Sequence, residues 1–453
     1  MRRLSAMLLL STLILLGLMV LAPIVGAANP PEGTWQWGPP YSATVGAFHS
    51  LAAGPAGSVY VAGDAWSWQW TVSRISATDG SQIWTDSRSG PGDLGASAEM
   101  AASDSHRNLF VVGRAAARGG DIYLVKYSPT GAVIWQKSWD GPAHLADRPT
   151  AIAVTAAGDL YVTGTIGKAG GYDDAVLLKY SAAGSLKWKY IMTTALYDAF
   201  TGVARDTLGN AYVTGQRAGS MDSAQMVTLK IDASGHKIWQ RTISGLGVTY
   251  NGQFVRVKGS SVYVAGALYK YRAWPVVAKY SLAGKTAWRL AASNSMSTLD
   301  DMTVDGKGRV VIVGSFEASP GADVITTAYM EVFAADGSGL TASAMFYSDF
   351  GPLNRYPARF NKVVVDSTGT IYCAGEWETS GTGVDGNAIV VRFPPIESPG
   401  WSGVDKIWRY DGPASGVDEF YALLRVSDAE ICAAGMRMTG GGAQGVADRI
   451  SLP

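Results

Sequence analysis

The chain has 453 residues, with 37 Lys+Arg against 37 Asp+Glu and a formal net charge of zero. That balance leaves no electrostatic footprint for nucleic acid or an anionic membrane, so neither is an expected partner. Charged residues make up only 16% while glycine reaches 55 residues, which argues against a helical or disordered chain and suits many short buried strands joined by tight turns.

Residues 1–28 read as a secretory signal. Arg2 and Arg3 form a positive start, an uncharged Leu-rich run extends from Leu4 to Gly26, and Val25-Gly26-Ala27 offers small residues for cleavage after Ala27. The run is long enough to serve instead as an anchor, but Pro23 and the small residues favour cleavage; the membrane is therefore expected to be met only through this segment, if it is retained. A secreted, periplasmic or cell-surface location follows. Export permits disulfides, and only Cys373 and Cys432 are available.

Residues 29–453 read as one domain built on a repeat. A short β-rich run ending in Gly occurs eight times, at Gly63, Gly113, Gly164, Gly215, Gly266, Gly314, Gly375 and Gly435, in forms such as Tyr161-Val-Thr-Gly164 and Tyr263-Val-Ala-Gly266. The successive spacings are 50, 51, 51, 51, 48, 61 and 60 residues, the length of a four-stranded propeller blade. Each copy has the same anatomy. An apolar strand comes first, then an Asp-x-x-Gly turn (Asp206 to Gly209, Asp305 to Gly308, Asp366 to Gly369), whose Asp bonds its own turn backbone and whose Gly supplies positive φ. The Tyr-Val-x-Gly strand follows, then a variable loop, a third strand, and a Gly turn opening a fourth strand that carries Trp four residues on. The pairs are Gly80/Trp84, Gly131/Trp135, Gly184/Trp188, Gly235/Trp239 and Gly284/Trp288; Trp408 stands one residue further from Gly403, and copy six has Met345-Phe346 instead. The expected fold is all-β: an eight-bladed β-propeller with four antiparallel strands per blade.

The ends set the closure. The eighth copy stops after its third strand at Ala447-Asp-Arg-Ile450, while Gly33-Thr-Trp35-Gln-Trp37 is surplus at the other end. The N-terminal strand near Trp35 should therefore complete the last blade and cover edges that invite aggregation.

The run from Asp147-Arg-Pro-Thr-Ala-Ile-Ala-Val to Tyr161-Val-Thr-Gly164, and the segment from Ala175 to Trp188, resemble the SBBP β-propeller repeat, a largely structural family. The Gly-x-x-x-Trp turn, as in Gly235-His-Lys-Ile-Trp239, is similar to the tryptophan docking motif of quinoprotein dehydrogenases that bind pyrroloquinoline quinone (PQQ). In those enzymes the motif cements neighbouring blades, and a vicinal Cys pair and calcium ligands accompany the cofactor. This chain has no adjacent cysteines, so PQQ is not expected and no cofactor is predicted; a structural Ca2+ stays open. WD40 repeats fit less well in spacing and lack of Trp-Asp.

Six of the fifteen Trp residues recur at the docking position and are assigned to packing between blades. The aromatics outside the repeat pattern are the candidates for function: Trp66, Trp68 and Trp70 in the loop of copy one, Tyr269, Tyr271 and Trp274 in copy five, and Trp377 in copy seven. Their loops are expected to share one face with the blade-joining loops, which carry Asp147, Asp198 and Asp418 at one repeat position. Aromatics and carboxylates on one face suit a sugar or a peptide; the competing reading is that the aromatics cover loop ends and the Asp residues cap turns. His49, His106, His144 and His236 fall at different repeat positions and give no metal cluster or triad, each reading as a surface or turn residue. Asp173-Asp174 and Asp300-Asp301 are candidates for a hydrolytic carboxylate pair where loops converge over the channel, against the competing reading that adjacent Asp residues in turns are solvated. Cys373 and Cys432 occupy equivalent strands of adjacent blades one register step apart, and two buried free thiols are expected. The functional expectation is a monomeric binding or scaffold module for a protein or carbohydrate ligand, without catalysis; the alternative is an enzyme with its site over the central channel, quinoprotein-like or acting on carbohydrate.

Overall fold

The structure, a computed structural model, describes residues 41–42, 46–65, 69–116, 120–220, 223–245, 247–270, 273–292, 298–318, 325–346, 348–349, 355–356, 358–378, 386–398, 403–410, 416–427, 429–439 and 442–452. They form eight four-stranded antiparallel blades, spanning 47–88, 96–139, 147–192, 198–243, 249–291, 298–346, 358–410 and, with the N-terminal strand, 419–451. The repeat read from the sequence is the blade. In blade 3 the strands Asp147–Val154, Leu160–Ile166, Asp174–Tyr180 and Leu186–Met192 pair in sequence order. The second and third strands are buried along their whole length, whereas the fourth alternates with solvent.

The first strand of every blade touches the first strand of the next, and that of blade 8 touches that of blade 1, so these strands form a closed inner ring. Blade 8 takes its fourth strand from the other end of the chain: Tyr41 pairs with Ala447 and Ser42 with Val446. The N-terminal strand thus closes the propeller, with the described pair at Tyr41–Ser42, a few residues after the Trp35 region that the sequence pointed to. Trp35 and Trp37 lie outside the described residues. A two-stranded hairpin, Ser348–Asp349 with Arg355–Tyr356, accounts for part of the longer spacing into blade 7. No helix among the described residues is long and apolar enough to cross a membrane.

The blades are bolted together by a recurring staple. Trp135 Nε1 and Lys126 Nζ of blade 2 both donate to the Ala182 carbonyl of blade 3, each at 3.0 Å. Trp188 and Lys179 share the Ala233 carbonyl, Trp239 and Lys230 that of Leu282, and Trp288 and Lys279 that of Ala335. Each lysine also lies over the aromatic ring that opens the Tyr-Val-x-Gly run, as Lys179 does over Tyr161 at 5.1 Å. The sequence led to the Trp; the lysine, which recurs one residue before the end of the third strand as in Lys126-Tyr127 and Lys179-Tyr180, completes the staple.

The Asp-x-x-Gly turns form as their chemistry dictates. Asp206 Oδ1 accepts from the amides of Leu208 and Asn210, and its Oδ2 from the Asn210 side chain and the Tyr212 hydroxyl. Cys373 and Cys432 are both buried free thiols.

Candidate functional site

The loops that join blades and the loops between second and third strands do share a face, because they bond to each other. Asp147 N–H donates to Gly120 O, Asp198 N–H to Asp173 O, and Asp418 N–H to Gly386 O, in each case reaching the preceding blade. The same three residues turn their carboxylates back into their own blade, twenty residues on: Asp147 accepts from Gly167 N–H at 3.2 Å, Asp198 from Ala218 N–H at 3.2 Å and Asp418 from Met438 N–H at 2.7 Å. All three are buried. They therefore act as latches that fix the loop face, as the turn-capping reading expects.

The aromatics divide. Tyr269 is 38% exposed and Trp274 half-buried, on facing arms at the loop end of the blade 5 hairpin. Burial pushes the Tyr269 hydroxyl up, with the charge of Asp300 adding to it. Trp377 is buried in the core between blades 6 and 7, edge-on to Phe346 at 5.6 Å. Trp66, Trp68 and Tyr271 lie outside the described residues.

The same face carries a cleft that the sequence did not single out. About 230 Å³ in volume, it is lined by Tyr172, Leu196, Tyr197, Gln216, Ala218, Ser223, Ala224 and Thr249, drawn from blades 3, 4 and 5. Tyr172 and Tyr197 are 39% and 38% exposed. The described lining residues are uncharged. Burial pushes the Tyr197 hydroxyl up, assisted by Asp173, so it enters the cleft as a neutral donor.

A second polar assembly surrounds the axis. Each first strand carries a β-bulge at one repeat position, whose extra residue is His49, Glu99, Thr150, Thr201, Gln253, Asp300, Asn361 or Tyr421. Bulges re-aim side chains, and here several reach the next inner strand: Thr150 Oγ1 donates to Phe200 O, Thr201 Oγ1 to Gly252 O and Asn361 Nδ2 to Phe420 O. In blades 3 to 5 the bulge residues are neutral. From blade 6 round to blade 2 most are ionisable. Arg359 makes a two-pronged pair with Asp300 at 2.9 and 3.1 Å, and Asn361 Nδ2 donates to Glu419 Oε1 at 2.7 Å. Burial, then the charge of Glu419, pushes the Glu376 carboxyl up to about 7. The Tyr421 hydroxyl is raised by burial and by Glu419, and its ring centroid lies 6.0 Å from that of His49, which bonds to Asp64.

Two sequence expectations are corrected here. Of the surface-or-turn reading of His49, the turn half fails: it is a half-buried bulge residue on the inner ring. Asp300 and Asp301 belong to the first strand of blade 6, where Asp301 is buried and bonded to Arg256 and to the Val363 amide; they are not a solvated turn.

No protein-family model matches the chain, and no curated protein matches it. Among solved structures the chain is similar to BamB from Moraxella catarrhalis, at 13% identity over 90% of this chain and 100% of that one, with a TM-score of 0.48. It is similar to the Neurospora crassa Pan2 WD40 domain at 9% identity over 78% and 88%, TM-score 0.46, and to a polysaccharide lyase, an ulvan lyase, at 12% identity over 90% and 91%, TM-score 0.44. The chain's own strand topology makes it an eight-bladed β-propeller.

Proposed function

We propose that the protein is an exported, monomeric recognition module that binds a neutral glycan on its loop face, with a repeat of the SBBP type. The observation that carries this reading is the uncharged cleft at blades 3 to 5. Exposed phenol rings such as Tyr172 and Tyr197 offer faces for sugar C–H groups, while Gln216, Ser223 and Thr249 offer hydrogen bonds to hydroxyls. A cleft of about 230 Å³ suits one sugar ring of a longer chain. Tyr269 and Trp274, from the same loop set, extend the aromatic complement; Trp66, Trp68 and Tyr271 enter this reading from the sequence alone. Export is supported by Arg2, Arg3 and the apolar run to Gly26. A glycan array followed by calorimetry tests the reading: neutral glycans should bind, and Tyr172→Ala with Tyr197→Ala should weaken binding at least tenfold with no change in Tm. Unaltered affinity in the double variant, or binding confined to protein ligands, would sink it.

One observation favours a hydrolytic reading at the axis. Glu376, with its carboxyl pushed up to about 7, stands near the charge of Glu419, which Asn361 holds at 2.7 Å. Glycoside hydrolysis uses a pair of carboxyl groups, one of them held protonated above its ordinary range. Release of reducing ends from neutral polysaccharides that is lost in Glu376→Gln would support it; an inactive wild type across such a panel would end it.

A further inference from the structure

The repeat one blade earlier shows what opens the cleft at blades 3 to 5. Counted from the repeat glycines Gly164 and Gly215, Ala218 stands where blade 3 has Gly167, and Gln216 where it has Thr165. Across the hairpin, the register sets Ala224 where blade 3 has Asp173. The joining loops correspond as well: Gly167 N–H donates to Ala146 O as Ala218 N–H does to Tyr197 O, so Leu196 is the counterpart of Leu145. A Cβ on Gly167 would collide with the Cβ of Leu145. Ala218 carries that methyl, so Leu196 cannot close down in the same way and the cleft stays open.

The three replacements share one face of blade 4. Gln216 and Ala218 lie two residues apart on the second strand, Ala211–Ser220, and Ala224 pairs directly with Ala218 from the third. Leu196 and the methyls of Ala218 and Ala224 form an apolar floor in the cleft, with a methyl at Ala224 where blade 3 has a carboxylate. The Ala218 amide adds no polar group to that floor, because Tyr197 O and the Asp198 carboxylate take it, each at 3.2 Å. Beside the floor, Gln216 brings a primary amide that both donates and accepts.

We infer that this cleft selects a sugar carrying an acetamido group, an N-acetylhexosamine unit; the inference rests on the glycan reading above. A hydroxyl set against the two alanine methyls would lose its water without gaining a partner. An acetamido group matches both parts of the cleft. Its methyl fits the floor of Leu196, Ala218 and Ala224, and its N–H and C=O pair with the Gln216 amide. Tyr172 and Tyr197 then serve the sugar ring itself.

The test titrates the full chain by calorimetry with tri-N-acetylchitotriose and with cellotriose, β-1,4-linked trimers that differ in the acetamido group. The acetylated trimer should bind about tenfold more tightly, the combined worth of one buried methyl and one net hydrogen bond. Ala218→Leu, which fills the floor from a half-buried position, should bring the two affinities within about threefold. Gln216→Ala should narrow the gap to the same extent with no change in Tm. Equal affinities in the wild type, both lost in Tyr172→Ala with Tyr197→Ala, would overturn the inference and leave the glycan reading standing. A preference that survives both Ala218→Leu and Gln216→Ala would overturn it equally. Binding of neither trimer would also overturn it, and binding of no neutral glycan at all would end the reading beneath it.

Discussion

The indole of Trp188 in blade 3 lies against Gly235 in the turn of blade 4, so closely that a Cβ on that glycine would sit 2.9 Å from the ring, while Trp188 Nε1 donates to Ala233 O at 2.9 Å. Gly131 under Trp84, Gly184 under Trp135, Gly284 under Trp239 and Gly337 under Trp288 repeat the arrangement. The glycine meets two demands at once, a positive φ of 95° and a surface flat enough for a neighbouring blade.

These demands separate experimentally. Gly170 has φ 108° with open space where a Cβ would go. Gly170→Ala should lose about 1 kcal/mol from backbone strain alone. Gly235→Ala should lose about 2–3 kcal/mol, because it must also displace the indole. Denaturant unfolding of the two variants compares them directly; equal losses would mean that Trp docking adds nothing to the blade interface.

A buried acid makes stability depend on pH. Glu331 is fully buried in blade 6, beside the Tyr329 hydroxyl. By register it stands where blades 2, 3, 4 and 7 carry Val125, Leu178, Leu229 and Val391. Burial pushes its carboxyl up to about 7 from an ordinary 4.5. The folded chain then binds more protons than the unfolded chain between these values. The stability this group contributes is thus greatest below about 4.5 and is lost as the pH rises through about 7. Glu331→Leu should stabilise the protein by about 2–3 kcal/mol at pH 8 and by much less at pH 4.5. An effect equal at both pH values would show that Glu331 does not titrate in this way.

Both cysteines should be silent in the folded protein. Cys373 and Cys432 are buried, and burial raises both thiols well above their ordinary range. A thiol reagent should label neither in native protein and two per chain in guanidinium. Zero in guanidinium would indicate a disulfide between them.

The blade was legible because its period is carried by residues that backbone geometry demands: Gly in turns, Asp at Asp206 and Asp305, Trp at Trp135 and Trp188. The axial ring was not, because the bulge selects no residue type; His49, Thr150, Asp300 and Tyr421 share only a place in the register. A signal was present all the same: the bulge falls 14 residues before the repeat glycine in every copy except the fifth, where it is 13. A constant position filled by varied polar residues is the mark of a side chain freed from packing. Asp147, Asp198 and Asp418 show the converse. Their shared position looked available for ligand, but a residue kept at a fixed step from an amide twenty positions on is spoken for by the fold. The cleft escaped because Tyr172, Tyr197 and Gln216 come from three separate segments that only the junction of blades brings together.

The account rests on a ring closed by its own N-terminus, which holds the inner strands, the axial ring and the loop face in one rigid circle. Tyr41 and Ala447 are directly paired across that closure. The most direct test is a double variant, Tyr41→Cys with Ala447→Cys, oxidised at low protein concentration and mapped by mass spectrometry. The account predicts an intramolecular disulfide joining the two ends in a monomer, with a Tm above that of the reduced form. Failure to cross-link, or cross-links only between chains, would show that blade 8 is not completed by residues 41–42 and would contradict the closed propeller.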